Sequence, residues 1–291
     1  MEAEIINKAQ IKEYILKDNK NLDLSLANGE KKIYVYLPPA FDKARAEKYK
    51  VIYIFDGQNA FEMQSAVYKC SAPNSWGLDK ALAERKDYLD CVVVGIFNGE
   101  GEVVRDTQLT MSQRFGRLTQ MGSREYGHFE NGQLESLGDF MLETLMPFVW
   151  DNFNVSKNRK DVTILGASSG GLASLYLGLR DSGVYGHIGA FSPASGLFYK
   201  DDWQRFLKDI MPNYDTQKIY IYCGKNTDDF LEQMLYDAPD EQMLTASKIK
   251  GVLTCVGIDE NSVCESFLDG GIHNEIYWER ALKGFLDFIT K

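Results

Sequence analysis

A serine centred between two glycines, where a strand pattern meets a helix pattern, constrains this chain more than any other feature. The segment Gly166-Ala-Ser168-Ser-Gly170-Gly follows the apolar run at residues 161–165 (DVTIL) and precedes helical spacing at residues 172–180. Small residues on both sides of the serine let a strand and a helix approach closely. The pattern therefore predicts a sharp, strained turn that holds the Ser168 hydroxyl beyond the strand, near the amino end of the helix.

Strand patterns alternate with helical patterns along most of the chain. Runs typical of strands occupy residues 32–37, 49–55, 91–97, 161–165, 188–192 and 218–223. Helical spacing occupies residues 76–86, 134–152, 172–180 and 277–289. This order predicts an α/β fold with a mostly parallel central sheet and helices on both faces, formed as a single domain over residues 1–291. In such sheets the working site lies at the carboxyl ends of the strands.

The charge balance and the apolar runs exclude several classes of partner. The formal net charge is −10, which argues against binding to nucleic acid or to anionic membranes. The first 21 residues hold no continuous apolar segment, so we expect no secretory signal. No apolar run approaches the roughly 20 residues that a membrane helix needs. We therefore expect a cytoplasmic protein that does not bind a membrane.

The cysteines and histidines are scattered through the sequence. The cysteines are Cys70, Cys91, Cys223, Cys255 and Cys264. Their odd number and the absence of a CxxC pair predict free thiols in a reducing compartment. The three histidines are too far apart in sequence for a common metal-binding motif. We expect neither a metal nor another cofactor.

A serine hydroxyl needs a general base, and the best candidate is His273. It lies in the glycine-bearing loop at residues 269–273, just before the last helical pattern. Where a serine occupies a strand-to-helix turn of this kind, the acid and then the histidine follow it in the chain. We interpret His187, at the start of a strand, as structural. His128 lies in a polar loop and is at most a substrate contact.

The acid of such a triad is expected after the strand at residues 218–223. Two adjacent carboxylates, Asp228 and Asp229, occupy this position. One of them would hold the imidazole in the correct tautomer and stabilise the imidazolium. We favour Asp228 for this role and expect Asp229 to be a solvated residue or a helix cap.

An acyl-transfer site also needs two hydrogen-bond donors for the oxyanion. The first predicted donor is the backbone N–H of Ser169, the residue after the nucleophile. The second is the backbone N–H of Gln58, in the turn that follows the strand at residues 49–55. The alternative for this second segment is a simple Asp-Gly turn without a catalytic role.

Several segments together resemble one family. They are Phe55-Asp-Gly-Gln-Asn-Ala-Phe61, Trp76-Gly-Leu-Asp79, Gly95-Ile96 with Asn98, Gly138-Asp-Phe140 with Leu145-Met-Pro147, Gly166-Ala-Ser-Ser-Gly-Gly171, Phe191-Ser-Pro193, and His273-Asn-Glu with Trp278. This set resembles the Putative esterase family of α/β-hydrolases, which includes enterochelin esterases, feruloyl and acetyl-xylan esterases and S-formylglutathione hydrolase. The resemblance spans roughly residues 30–290 and implies the α/β-hydrolase fold, a Ser–Asp–His triad and no metal. Ser169 departs from the methionine that is frequent there in the family.

The stretch around residues 105–135 matches no segment of that family. It is polar, and its four arginines are Arg105, Arg114, Arg117 and Arg124. Two interpretations stay open. It is either a lid or pocket insertion whose arginines hold an anionic or sugar-like ester, or a solvated loop that packs on its own few apolar residues.

These features predict a serine esterase that cleaves a carboxylic ester of a small intracellular substrate through an acyl-enzyme intermediate. Two alternatives stay open: an acyltransferase that uses the same triad, and a non-catalytic binding protein with this fold. The acyl and alcohol parts of the substrate, the residues that bind it and the oligomeric state are not readable from the sequence.

Overall fold

The computed structural model of the chain describes residues 10–17, 30–39, 41–61, 75–85, 90–98, 102–112, 114–120, 132–210, 217–226 and 228–291. Eight strands occur in these ranges: β1 Gln10–Lys17, β2 Glu30–Leu37, β3 Lys50–Phe55, β4 Cys91–Ile96, β5 Val162–Ala167, β6 His187–Phe191, β7 Lys218–Lys225 and β8 Val263–Asp269. They form one sheet in the order β1-β2-β4-β3-β5-β6-β7-β8.

The sheet is mostly parallel. Strand β2 pairs antiparallel with β1 and with β4, and every other neighbouring pair is parallel. The carboxyl ends of β3, β5, β6, β7 and β8 therefore lie at the same edge. The mostly parallel sheet that the sequence predicts is confirmed.

Helices accompany the strands along the described residues. They are α1 Leu78–Ala83, α2 Glu102–Leu109, α3 Leu134–Phe140, α4 Met146–Phe153, α5 Ser169–Arg180, α6 Lys200–Asp209, α7 Phe230–Asp237, α8 Ala246–Cys255 and α9 Glu275–Ile289. A π-helical turn, Met141–Leu145, joins α3 to α4. None of the helices in the described ranges is long and apolar enough to cross a bilayer.

The two faces of the sheet bury separate apolar cores. Along β3, Val51, Tyr53 and Phe55 belong to one core cluster, and Ile52 and Ile54 belong to the other. This alternation follows from the two-residue period of a strand. Helices α3, α4 and α5 contribute to the first cluster, while α1 and α9 contribute to the second. Each fully buried aliphatic or aromatic side chain contributes about 1.5 to 3 kcal/mol to the stability of the fold. Because helices pack on both faces of the sheet, this part of the predicted fold is confirmed.

Several elements were not predicted from the sequence. Strands β1 and β8 lie at the two edges of the sheet, and their exposed faces carry charged residues. A half-exposed edge strand lacks the continuous apolar run that marks a buried parallel strand. Helices α2, α6, α7 and α8 also went unpredicted.

The stretch around residues 105–135 is only partly described. Arg105 lies in helix α2, so this residue belongs to regular structure. Leu118 forms an antiparallel bridge with Phe198, and the guanidinium of Arg117 lies over the ring of Tyr199. Residues 121–131, with Arg124 and His128, fall outside the described residues, as does Cys70. The lid or pocket insertion and the single domain over residues 1–291 stay predictions.

His187 has a structural environment. It starts β6, is buried, and lies with its Nδ1 3.4 Å from the Thr163 hydroxyl. Burial, followed by the nearby Lys218 and Lys50 charges, lowers the pKa of His187 to about 4. The folded chain therefore holds this imidazole neutral across the range in which an unfolded histidine takes up a proton.

This pKa shift predicts a pH dependence of stability. As pH falls from about 6.5 to about 4.5, the unfolded chain binds a proton at residue 187 that the folded chain excludes, so stability is lost. We expect wild type to lose about 2 to 3 kcal/mol more than His187→Gln over this window. The measurement is the free energy of unfolding in urea for both proteins between pH 7.5 and 4.5. If the free energies of unfolding of the two proteins changed with pH in parallel, the lowered pKa of His187 would be contradicted.

Candidate active site

Ser168 occupies a strained turn between the central strand β5 and helix α5. Its backbone has φ 57° and ψ −124°, and it is the single residue between Ala167, which ends the strand, and Ser169, which starts the helix. Non-glycine residues avoid this region unless the surrounding structure enforces it. A Cβ on Gly166 would lie 2.4 Å from the Gly170 carbonyl oxygen, so only glycine fits at this crossing.

Hydrogen bonds to the next strand hold this turn in place. The Ser168 N–H donates to the Phe191 carbonyl at 2.9 Å, and the Ala194 N–H donates to the Ser168 carbonyl at 3.1 Å. Leu172 N–H donates to the same Ser168 carbonyl at 2.9 Å. The end of β6, the segment that follows it and helix α5 therefore all hold the backbone of the predicted nucleophile.

The carboxylate beside His273 is that of Glu232. His273 Nδ1 lies 2.7 Å from Glu232 Oε2, and the Glu232 side chain has no exposed surface. Its other oxygen, Oε1, accepts from the Ser192 hydroxyl at 2.6 Å and from the Gly224 N–H. A buried carboxylate needs such donors to offset its lost hydration, and here the donors leave Oε2 for the imidazole.

Asp228, predicted to fill this role, lies elsewhere. Its side chain is exposed, and its backbone N–H donates to the Asn226 side chain at 2.8 Å. The acid on helix α7, and not Asp228, therefore faces the histidine. We therefore assign the place beside His273 to Glu232 instead of Asp228.

Asp229 connects the helix of this acid to the loop of the base. One of its oxygens accepts from the Glu232 N–H at 3.1 Å and caps the start of α7. The other accepts from the His273 backbone N–H at 3.0 Å. The expectation of a helix cap for Asp229 agrees with this placement, and the same carboxylate also fixes the His273 loop.

Ser192 connects Glu232 to Trp278, which packs against His273. It follows β6 with φ 40°, donates its hydroxyl hydrogen to Glu232, and accepts from the Trp278 indole N–H at 3.1 Å. The Trp278 ring meets the His273 ring edge-on, with centroids 5.1 Å apart. With a proton on Nδ1 directed at Glu232, the imidazole presents Nε2 as a hydrogen-bond acceptor.

The turn after β3 carries the predicted second oxyanion donor. Asp56 has φ 55°, and residues Gly57–Asn59 form a single 3₁₀ turn in which Gln58 is buried. A Cβ on Gly57 would lie 2.3 Å from the Gly95 carbonyl carbon, so the turn sits directly against β4. The Asn59 side chain donates to Glu275 at 3.2 Å, which links this turn to the start of α9.

Both predicted donors are first-turn N–H groups. Gln58 lies within the 3₁₀ turn, and Ser169 is the first residue of α5. The N–H groups in the first turn of a helix have no acceptor inside that helix. The positive end of the α5 dipole also favours negative charge beside Ser169.

A network of ion pairs and hydrogen bonds connects these two turns through Arg105. The Asp56 carboxylate accepts from Arg105 Nε and Nη2 at 2.7 and 2.8 Å, and from the Asn98 side-chain amide. Arg105 Nη1 donates to Asp106 at 2.8 Å, and the Ser169 hydroxyl donates to the same oxygen at 2.8 Å. Burial raises the pKa of Asp106, and Arg105 opposes that rise.

Sequence reasoning missed Glu232, Asp106 and the arrangement of Arg105. The one available signal was the spacing of Asp229 and Glu232, three residues apart at the start of a helix, as in a capping box. The ion pair of Arg105 with Asp56 and the hydrogen bond of Ser169 to Asp106 join segments that are far apart in the chain, and no local pattern marks them.

Comparison with known proteins supports the fold and the family. The family model described as "Putative esterase" matches residues 25–289. The uncharacterized protein YbbA of Bacillus subtilis is 20% identical over 262 residues, covering 90% of this chain and 93% of that protein.

Two solved structures share the architecture. A ferulic acid esterase from Anaeromyces mucronatus matches with a TM-score of 0.61 and 18% identity, over 98% of this chain and 92% of that one. An S-formylglutathione hydrolase from Staphylococcus aureus matches with a TM-score of 0.56 and 18% identity, over 97% and 98%. The chain has the α/β-hydrolase fold and belongs to the Putative esterase family, whose class of activity is ester hydrolysis.

Proposed function

We propose that this protein is a serine esterase with Ser168 as nucleophile, His273 as general base and Glu232 as the acid that orients the base. The observation that carries the proposal is the buried contact between Glu232 and His273, at the same edge of the sheet as the strained turn at Ser168. Acyl transfer requires a nucleophile, a base and an orienting acid, and the three proposed residues lie in the segments that follow β5, β7 and β8 at one edge of the sheet.

The proposed reaction proceeds in two halves. Ser168 Oγ attacks the ester carbonyl while His273 Nε2 takes its proton, and the imidazolium then protonates the leaving alcohol. Water repeats the sequence on the acyl-enzyme, so Ser168 is regenerated and the acid is released. Glu232 stabilises the imidazolium in both halves without taking its proton.

The oxyanion of each tetrahedral intermediate is proposed to lie between the N–H groups of Gln58 and Ser169. Removal of one such donor costs about 3 to 4 kcal/mol of transition-state stabilisation in a well-studied serine hydrolase. The dipole of helix α5 adds a favourable field at the same point.

We propose a carboxylic ester of a small cytoplasmic molecule as substrate. Four of the cysteines are free thiols in the described part of the chain, which supports a reducing compartment. Two structurally similar proteins are named for ferulic acid and for S-formylglutathione. The feature that we carry over to this chain is the acyl group bonded to a leaving oxygen or sulfur atom.

Substitution of the nucleophile and base tests the proposal. We expect wild type to hydrolyse p-nitrophenyl esters of short acids, and Ser168→Ala and His273→Ala to lose about 10³-fold or more in kcat. Ser174→Ala is the matched control, because this buried serine of α5 only donates to the Gly170 carbonyl at 2.9 Å. Equal rates for wild type and Ser168→Ala would contradict the proposal.

The identity of the acid has its own test. Glu232→Gln keeps the shape of the side chain but removes the charge that stabilises the imidazolium, so we expect kcat to fall about 10³- to 10⁴-fold. Asp228→Asn, the neighbouring exposed carboxylate, should change kcat less than about twofold. Steady-state kinetics of the two variants with the same ester decide between them. A large loss in Asp228→Asn with a small loss in Glu232→Gln would return the role to Asp228.

A further inference from the structure

The guanidinium of Arg105 contacts both sides of the proposed oxyanion hole. It binds the carboxylate of Asp56, which opens the Gln58 turn, and that of Asp106, which holds the Ser169 hydroxyl. We propose that Arg105 is a positioning residue that sets the separation of the Gln58 and Ser169 N–H groups. This inference rests on the proposed esterase function and extends it to residues behind the site.

The first contact fixes the Gln58 turn. Arg105 presents two parallel N–H donors to Asp56, at 2.7 and 2.8 Å, in the forked geometry that defines orientation as well as distance. Asp56 is the left-handed residue at the head of the turn, and its carbonyl accepts from the Asn59 N–H at 2.8 Å. The two hydrogen bonds therefore tie the residue at the head of the Gln58 turn to Arg105.

The second contact fixes the start of α5. A single oxygen of Asp106 accepts both from Arg105 Nη1 and from the Ser169 hydroxyl, each at 2.8 Å. Ser169 is fully buried, and its backbone N–H is the proposed donor. The side chain of the donor residue is thereby tied to the same guanidinium that holds the other turn.

Electrostatics make the guanidinium necessary for this arrangement. The side chains of Arg105, Asp56 and Asp106 are 12%, 9% and 14% exposed, so one cation separates two largely buried carboxylates. Burial raises the pKa of Asp106, and Asp56 raises it further, while Arg105 lowers it. Without the cation, the carboxylates repel each other at low effective dielectric, and the two turns lose their common anchor.

A positioning role predicts a specific kinetic signature. The oxyanion exists only in the tetrahedral states. Misplaced donors therefore reduce the stabilisation of the transition state and leave binding of the substrate in its ground state almost unchanged. Variants should therefore lower kcat while KM stays nearly constant. A purely structural role would lower the melting temperature without this separation of kcat from KM.

The experiment compares Arg105→Met and Arg105→Lys with Arg180→Met in the full-length chain. Arg180 is the matched control, because it also lies between two carboxylates, Asp181 and Asp139, at the far end of α5. With a p-nitrophenyl ester, we expect Arg105→Met to lose about 10- to 100-fold in kcat with KM within about threefold. Arg105→Lys should recover part of the loss, and Arg180→Met should stay near wild type.

Ser169→Ala keeps the ion pairs of Arg105 and removes only the hydrogen bond from the Ser169 hydroxyl to Asp106. It therefore tests the proposal even if Arg105→Met does not fold. We expect roughly a threefold to tenfold loss in kcat with little change in KM. The double variant with Arg105→Met should lose less than the product of the two single losses, because both act through one network.

Three results would overturn the inference. They are a kcat loss in Arg105→Met no greater than that in Arg180→Met, an unchanged kcat in Ser169→Ala, or fully multiplicative losses in the double variant. A wild type that neither hydrolyses esters nor reacts with a fluorophosphonate would overturn the proposed function itself. An active wild type with unaffected Arg105 and Ser169 variants overturns only the positioning role.

Discussion

The turn at Ser168 is the constraint on which the rest of the site depends. A strand and a helix meet at one residue, and the backbone there adopts φ 57° only because neighbouring groups hold it. Gly166 allows the helix to cross the strand, and the carbonyl of Phe191 holds the Ser168 N–H. The same geometry places the amino end of α5 beside the serine, so the proposed nucleophile and a proposed donor for negative charge arise from one local structure.

Parallel topology then gathers the remaining groups. The Gln58 turn follows β3, Ser192 follows β6, Glu232 lies on the helix after β7, and His273 lies on the loop after β8. Since these strands run in one direction, all four segments emerge at the same edge. Side-chain hydrogen bonds then connect them: the buried Ser192 joins Glu232 to Trp278, and Asp229 joins the helix of Glu232 to the His273 loop.

The central architecture and the position of the turn were readable from the sequence, because buried parallel strands and a glycine-flanked serine leave strong local patterns. The partner of His273 was not readable. Asp228, Asp229 and Glu232 lie within five residues, and the local sequence pattern does not show which of the three carboxylates is buried beside the histidine. The Arg105 network could not be predicted for a related reason. Its two carboxylates lie in the turn after β3 and on α2, and no local sequence pattern indicates that these segments are in contact.

Covalent trapping of the nucleophile tests the central claim most directly. The protein is treated with a fluorophosphonate, and intact mass with peptide mapping locates the adduct in wild type, Ser168→Ala and Ser169→Ala. We predict one stoichiometric adduct on Ser168 in wild type and in Ser169→Ala, and none in Ser168→Ala, because in the proposed mechanism His273 activates only the hydroxyl at the turn. An adduct on Ser169, or labelling that persists in Ser168→Ala, would contradict the account.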